Sequence, residues 1–280
     1  MKPMDRASLQ LADGARLRYI DQGHGDPIVL IHGFPGNLDY SWARAIDLFA
    51  QRDRVIAMDL LGFGWSDRPR DADYGRPAQA DRIATLLDSL DVREGTVIGA
   101  SFGGGVAQHL AAIRPDIVSR LVLVSSEDAS VPSGLLDSSL ALQALVGALG
   151  LPIVGPRIGR MATRALSAPD MRDPETIERG LAPLLRPWTL GWIRKVLRDL
   201  RDEPALQLSA IRSPTLIISS DGDESVPPAV GEAIAEKIPG ARHVVLSGLP
   251  HGYWGRRPEI LAREVIEFVE VVPRPGLEPG

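Results

Sequence analysis

The segment Gly95-Thr96-Val97-Ile98-Gly99-Ala100-Ser101-Phe102-Gly103-Gly104-Gly105 constrains this chain more than any other. A β-branched run ends in Gly-x-Ser-x-Gly. An apolar-periodic segment follows at once, with Val106, Leu110 and Ile113 at its inward positions. This reads as a strand, a very tight turn and a helix, with one serine at the apex. Such a turn forces its apex residue into an unfavourable backbone region, and only small neighbours let strand and helix approach so closely. Gly99, Ala100 and Gly103 supply that smallness. The turn presents a hydroxyl at a helix N-terminus, where the dipole and free N–H groups favour developing negative charge. A Gly-rich connection with an incidental serine would carry the same pattern, so the rest of the chain decides between the two.

Apolar periodicity alternates along most of the sequence. Residues 8–21 read as a hairpin around Ala12-Asp13-Gly14. Residues 27–31 are a continuous apolar run, as expected of a strand buried on both faces, and the run stops at His32-Gly33-Phe34-Pro35-Gly36. A helix at 41–51, a strand at 54–59, a helix at 77–90 and a strand at 121–124 follow. From 127 to 208 the period is helical only, with segments at 135–149, 157–166, 174–185 and 189–200. Strands at 215–218 and 243–246 then alternate with helices at 227–237 and 258–269. The expectation is an α/β core at 1–126 and 209–270, a helical cap at 127–208 roofing the strand C-termini, and a Pro/Gly-rich disordered tail at 271–280.

Composition narrows the function classes. The net charge of −5 is spread without a basic stripe, which argues against a nucleic-acid partner. The chain has no cysteine, so disulfides, thiolate metal sites and a cysteine nucleophile are excluded, and a reducing cytoplasm fits. The N-terminus lacks an apolar core of the signal-peptide kind. The longest apolar stretch, 140–151, is interrupted by Gln143, Gly147 and Gly150, so no membrane span is expected. Metal-binding and nucleotide-loop spacings are missing, and no metal or cofactor is expected.

Five segments leave strand C-termini and should converge on one edge of the sheet. They are His32-Gly33-Phe34-Pro35-Gly36, the run from Asp59 through Gly62-Phe63-Gly64-Trp65-Ser66-Asp67, Gly99-Ala100-Ser101-Phe102-Gly103-Gly104, the run from Asp221 and Asp223 to Val226-Pro227, and Pro250-His251-Gly252. In this order the chain resembles the α/β-hydrolase superfamily, in its serine-hydrolase, carboxylesterase-like branch with a helical cap. The resemblance covers about 8–270 and implies an eight-stranded, mostly parallel sheet. It makes Ser101 the nucleophile, His251 its base and Asp223 the orienting acid, with Asp128 as the alternative acid because some relatives place it after the earlier strand. It assigns the oxyanion hole to the backbone N–H groups of Phe34 and Phe102. His32, Asp59 and the Gly62-Phe63-Gly64 turn are expected to brace the loops. His24, His109 and His243 are expected to be packed or solvated side chains. Two departures stand out: Ala100 where many related esterases have histidine or asparagine, and Ser219-Ser220 where an aromatic-glycine pair is more usual.

The cap is rich in Leu, Ala, Val and Ile, which suggests a small to medium hydrophobic substrate. Trp65, Met161, Trp188 and Trp192 are candidate pocket residues, although core packing is the leading expectation for the last three. The expected reaction is hydrolysis of a carboxylic ester through an acyl-enzyme on Ser101, without a cofactor. The same residues would serve C–C bond hydrolysis of a meta-cleavage-type diketone, or lactone opening. A non-catalytic ligand receptor on a hydrolase scaffold is the reading of a different class. The partner expected is the small carbonyl substrate, with homodimer formation left open.

Overall fold

The computed structural model describes residues 6–131, 180, 186 and 188–272. Eight strands form one sheet: β1 (Ala7–Gln10), β2 (Arg16–Gln22), β3 (Pro27–Ile31), β4 (Arg54–Asp59), β5 (Gly95–Ala100), β6 (Val118–Val124), β7 (Thr215–Ser220) and β8 (Arg242–Leu246). Their spatial order is β1-β2-β4-β3-β5-β6-β7-β8. The first hairpin and the β2–β4 pair are antiparallel, and every later pairing is parallel.

Parallel pairing requires crossovers, and helices supply them on both faces. The described helices are α1 (Leu38–Phe49), α2 (Arg76–Ser89), α3 (Phe102–Ile113), α4 (Thr189–Asp202), α5 (Pro228–Lys237), α6 (Tyr253–Arg256) and α7 (Pro258–Val271). Because side chains alternate across a strand, each central strand feeds two cores. Val29, Ile31, Ile56, Met58, Val97, Leu121 and Ile217 pack with α2, α3 and α4 on one face. Ile28, Leu30, Val55, Ala57, Ile98, Val122 and Ile218 pack with α1, α6 and α7 on the other. This two-sided burial explains the continuous apolar runs. β8 is an edge strand and is only half-buried.

Most element bounds fall within a few residues of the sequence expectation. Three points differ. α1 begins at Leu38, because Asn37 caps it by accepting from the Tyr40 N–H at 3.0 Å. The short helix α6 is too brief for periodicity to reveal. Ile113, expected to face inward, is 46% exposed at the last position of α3. The cap segments at 135–149, 157–166 and 174–185 lie almost wholly outside the described residues, as does the tail beyond 272, while 189–200 is helical as expected.

The chain leaves the sheet through residues 125–131 after β6 and re-enters it by α4. Arg76, at the start of α2 and 1% exposed, reaches both passages. Its guanidinium pairs with Glu203 just past α4, and its other nitrogens donate to the carbonyls of Asp128 (3.3 Å) and Val131 (3.1 Å). Glu127 lies 3.6 Å from the same guanidinium.

The first turn of α3 approaches the strands beneath it closely. A Cβ on Gly99 would fall on the Gly103 carbonyl and 2.8 Å from the Ala107 Cβ. A Cβ on Gly103 would fall on the carbonyl oxygens of Ile31 and His32. Both obstacles are backbone or helix-facing atoms and cannot swing away. Overpacking of this kind costs about 1–3 kcal/mol, or roughly 2–5 °C in Tm for a chain this size. Gly103→Ala is therefore expected to lower Tm within that range, measured by calorimetry. Gly95→Ala, where the new carbon meets its neighbours at 3.4 Å, should change it little.

Candidate active site

Ser101 sits at the apex between β5 and α3 with φ 54° and ψ −123°, a region that strains any residue bearing a Cβ. The turn is held from both sides. The Ser101 N–H donates to the Val124 carbonyl at 3.0 Å, and its own carbonyl accepts from Gly104 at 2.9 Å and Glu127 at 3.2 Å. Gly33 faces it closely: a Cβ there would lie 3.0 Å from the Ser101 Cβ and 3.6 Å from Oγ. The Phe102 N–H is the first of α3 and has no acceptor within the helix. Among the described residues, neither it nor the Phe34 N–H donates to another protein group.

The loop after β3 is braced as expected. His32 is fully buried, and its Nδ1 lies 2.9 Å from the Gly33 carbonyl while Nε2 accepts from the Leu60 N–H at 3.1 Å. These partners require a neutral ring with its proton on Nδ1. Burial pushes its pKa down to about 4, opposed by the bond to Gly33. Asp59 accepts from the N–H groups of Leu38 and Trp65, both at 2.8 Å, and so ties the start of α1 to the 62–66 turn. Burial pushes its carboxyl up to about 6 against those two bonds. Gly64, at φ 46°, leaves room for this carboxylate, since a Cβ would fall on it.

Asp223 and His251 come together across two loops. His251 Nδ1 lies 2.8 Å from Asp223 Oδ2, and the Asp223 side chain is fully buried while that of His251 is 28% exposed. Oδ1 of Asp223 accepts from the N–H groups of Ser225 and Val226, both at 2.9 Å. Burial alone would raise this carboxyl, but His251, Val226 and Ser125 outweigh it and hold the pKa below the usual carboxylate value. The residue is therefore an anion at neutral pH. The Trp254 ring stands edge-on to the imidazole at 5.1 Å, and Arg256 donates to the His251 carbonyl at 2.7 Å.

The two loops touch through their backbones. A Cβ on Gly222 would lie 2.8 Å from the Gly248 carbonyl carbon and 3.0 Å from the Leu249 nitrogen. Ser220 Oγ accepts from Leu249 at 2.9 Å, and Asp221 accepts from the Gly248 N–H and the Ser247 hydroxyl. The Ser219-Ser220 departure thus has a use. Ser220 stitches the acid loop to the histidine loop, and Ser219 Oγ lies 2.9 Å from His243 Nε2 beneath α5. Serine gave no sequence signal for either role, because small polar residues near loops are common.

The remaining candidates separate. Asp128 is engaged elsewhere: it pairs with Lys237 at 2.6 Å and accepts from the Ser130 hydroxyl and N–H. Trp65 is 47% exposed. Trp192 is 1% exposed and is a core residue, stacked on Phe34 at 5.9 Å, edge-on to Phe63 at 4.9 Å and covered by the Arg68 guanidinium at 4.2 Å. Phe102 is fully buried against Phe63. Trp188 is half-buried and opens α4 at φ 65°. Met161 lies outside the described residues. Among the described residues no cluster of His, Asp or Glu could hold a metal ion, and no helix is long and apolar enough to cross a membrane.

The family model for the alpha/beta hydrolase fold matches residues 26–252. The 2-hydroxymuconate semialdehyde hydrolase of Pseudomonas sp. (strain CF600) is 42% identical over 124 residues, a match spanning 44% of each chain. The protein of the same name from Pseudomonas putida is 29% identical over 274 residues, 92% of each chain. Among solved structures, a thermophilic esterase from Thermogutta terrifontis superposes with a TM-score of 0.76 at 25% identity, covering 95% of this chain and 98% of that one.

The buried pair His32 and Asp59 makes a pH-dependent prediction. His32 is lowered from 6.5 to about 4, so its burial costs increasing stability as pH falls through that window. Asp59 is raised from 3.8 to about 6, so it recovers stability as pH falls from 6 to 3.8. Each contribution is roughly 3 kcal/mol, and the two oppose each other. Urea denaturation of His32→Gln should show its stability, relative to the parent, improving by roughly 3 kcal/mol between pH 7 and pH 4. A pH-independent difference would contradict the assignment.

Proposed function

The chain belongs to the alpha/beta hydrolase fold family, and on that premise we propose that it is a serine hydrolase cleaving a carboxylic ester of a small to medium hydrophobic substrate. The observation that carries this reading is the charge-assisted bond between the ionised Asp223 and His251 Nδ1, which leaves Nε2 as the free basic nitrogen. Ser101 and Asp223 follow β5 and β7, two strand spacings or roughly 10 Å apart, about the span of a carboxylate–imidazole–hydroxyl chain.

In this reading Ser101 Oγ gives its proton to His251 Nε2 and bonds to the substrate carbonyl carbon. The carbonyl oxygen becomes an oxyanion that accepts from the N–H groups of Phe34 and Phe102, as in other preorganised acyl-transfer sites. Collapse breaks the C–O bond, and the imidazolium protonates the leaving alkoxide. Water then attacks the acyl-enzyme, giving its proton to His251, and the carboxylic acid departs as Ser101 is regenerated. Asp223 holds the ring and stabilises its cationic form without taking the proton. The burial of Trp192 and Phe63 around Phe34 supports an apolar, water-poor wall beside this hole.

A second reading differs only in the bond broken. The two Pseudomonas relatives are named as hydrolases of 2-hydroxymuconate semialdehyde, a C–C substrate class, and the same serine, histidine and N–H pair would serve that cleavage. Turnover of p-nitrophenyl butyrate against a ring-fission dienoate separates the two. Preference for the dienoate by an order of magnitude or more in kcat/KM would replace the ester reading. A fluorophosphonate should label the parent and fail to label Ser101→Ala. Asp223→Asn should lower kcat by a factor of a thousand or more, whereas Asp128→Asn should leave it within about threefold. A folded protein that binds substrates but is neither labelled nor active would instead be a receptor.

A further inference from the structure

One buried hydroxyl, that of Ser125, takes no part in the acyl transfer and has no hydrogen-bond partner among the described residues. Ser125 is the first residue past β6, 1% exposed, with φ 42°. Its N–H donates to the Ile218 carbonyl on β7 at 2.8 Å, while the carbonyl of the preceding Val124 accepts from Ser101. Ser125 therefore stands between the strand that ends in Ser101 and the strand that leads to Asp223. Its Oγ is buried without a hydrogen bond of ordinary geometry, yet the Asp223 carboxylate is close enough to be stabilised by it. A glycine would adopt this backbone without strain, so the hydroxyl is what serine adds at that conformational cost.

An ionised carboxylate offers about four acceptor sites. His251 occupies one on Oδ2, and the Ser225 and Val226 N–H groups occupy two on Oδ1. Among the described residues one site is left without a donor, and the buried, unpartnered Ser125 hydroxyl is a donor that acts on this carboxyl.

We propose that Ser125 is a positioning residue whose hydroxyl closes on the remaining acceptor site of Asp223 and holds Oδ2 against His251 Nδ1. This rests on the reading that Asp223 and His251 serve Ser101. No proton or bond changes hands at Ser125. The titratable groups that face Asp223 are His251 and the Tyr253 phenol, and burial keeps the phenol neutral across the working range.

The test compares Ser125→Gly and Ser125→Ala with the parent by fluorophosphonate labelling rate against pH, alongside Tm. Glycine removes both hydroxyl and strain, so its Tm should match or exceed the parent's. Both variants should label about tenfold more slowly, the scale of one hydrogen bond to a charged group. The acid limb of the rate profile should move upward, because a carboxylate relieved of one donor pulls harder on the imidazolium proton. Parent-like rate and acid limb in Ser125→Gly would overturn the proposal, as would a loss confined to Ser125→Ala that tracks its Tm. Asp223→Asn run in parallel separates the failures. If it labels normally, the underlying reading falls and takes this proposal with it; if it is slow while both Ser125 variants are not, only this proposal falls.

Discussion

The arrangement depends on one close approach, between the first turn of α3 and the C-terminal ends of β3 and β5. Gly99 and Gly103 permit it because neither carries a Cβ, and the atoms that a Cβ would strike are main-chain oxygens with nowhere to go. The same closeness pushes Ser101 to positive φ and brings the Gly33 backbone against its side chain. A wider turn would move the hydroxyl away from the 32–36 loop and separate it from the N–H of Phe34. Local steric tightness, rather than any single strong interaction, therefore positions the reactive corner.

The loops around that corner are held by buried polar groups in unusual protonation environments. His32 is a neutral donor–acceptor link between the 32–36 loop and Leu60. Asp59 does the equivalent for α1 and the 62–66 turn. Both side chains are buried. Their shifted pKa values come mainly from desolvation, and their hydrogen bonds to backbone groups give both side chains a bracing role. Asp223 behaves differently: burial opposes its ionisation, and the bonds from His251, Ser225 and Val226 help to restore it.

Much of this was readable in the chain because it rests on short-range rules. Continuous apolar runs announced the doubly covered strands, and Gly-x-Ser-x-Gly announced the turn. The histidine–aspartate pair came from resemblance rather than periodicity, since 28 residues separate the two side chains and only the loop packing brings them together. Ser125 and Ser220 were invisible for the same reason. Which backbone from another strand stands opposite them is decided by packing, and a serine next to a strand end looks like any other. Trp192 and Ile113 illustrate the converse limit. Hydrophobicity alone does not distinguish a pocket wall from a core residue, or an inward position from a frayed helix end.

Arg76 grips both the departing passage at 125–131 and the returning one at Glu203. The excursion between them is thereby closed at its base like a drawstring. Loop-closure entropy grows only with the logarithm of length, at about 0.6 kcal/mol per doubling. With the neck cinched by one guanidinium, the intervening stretch could be lengthened, shortened or exchanged during evolution while the sheet below registered little change. A single side chain would then insulate the sheet from changes in the length of what it encloses.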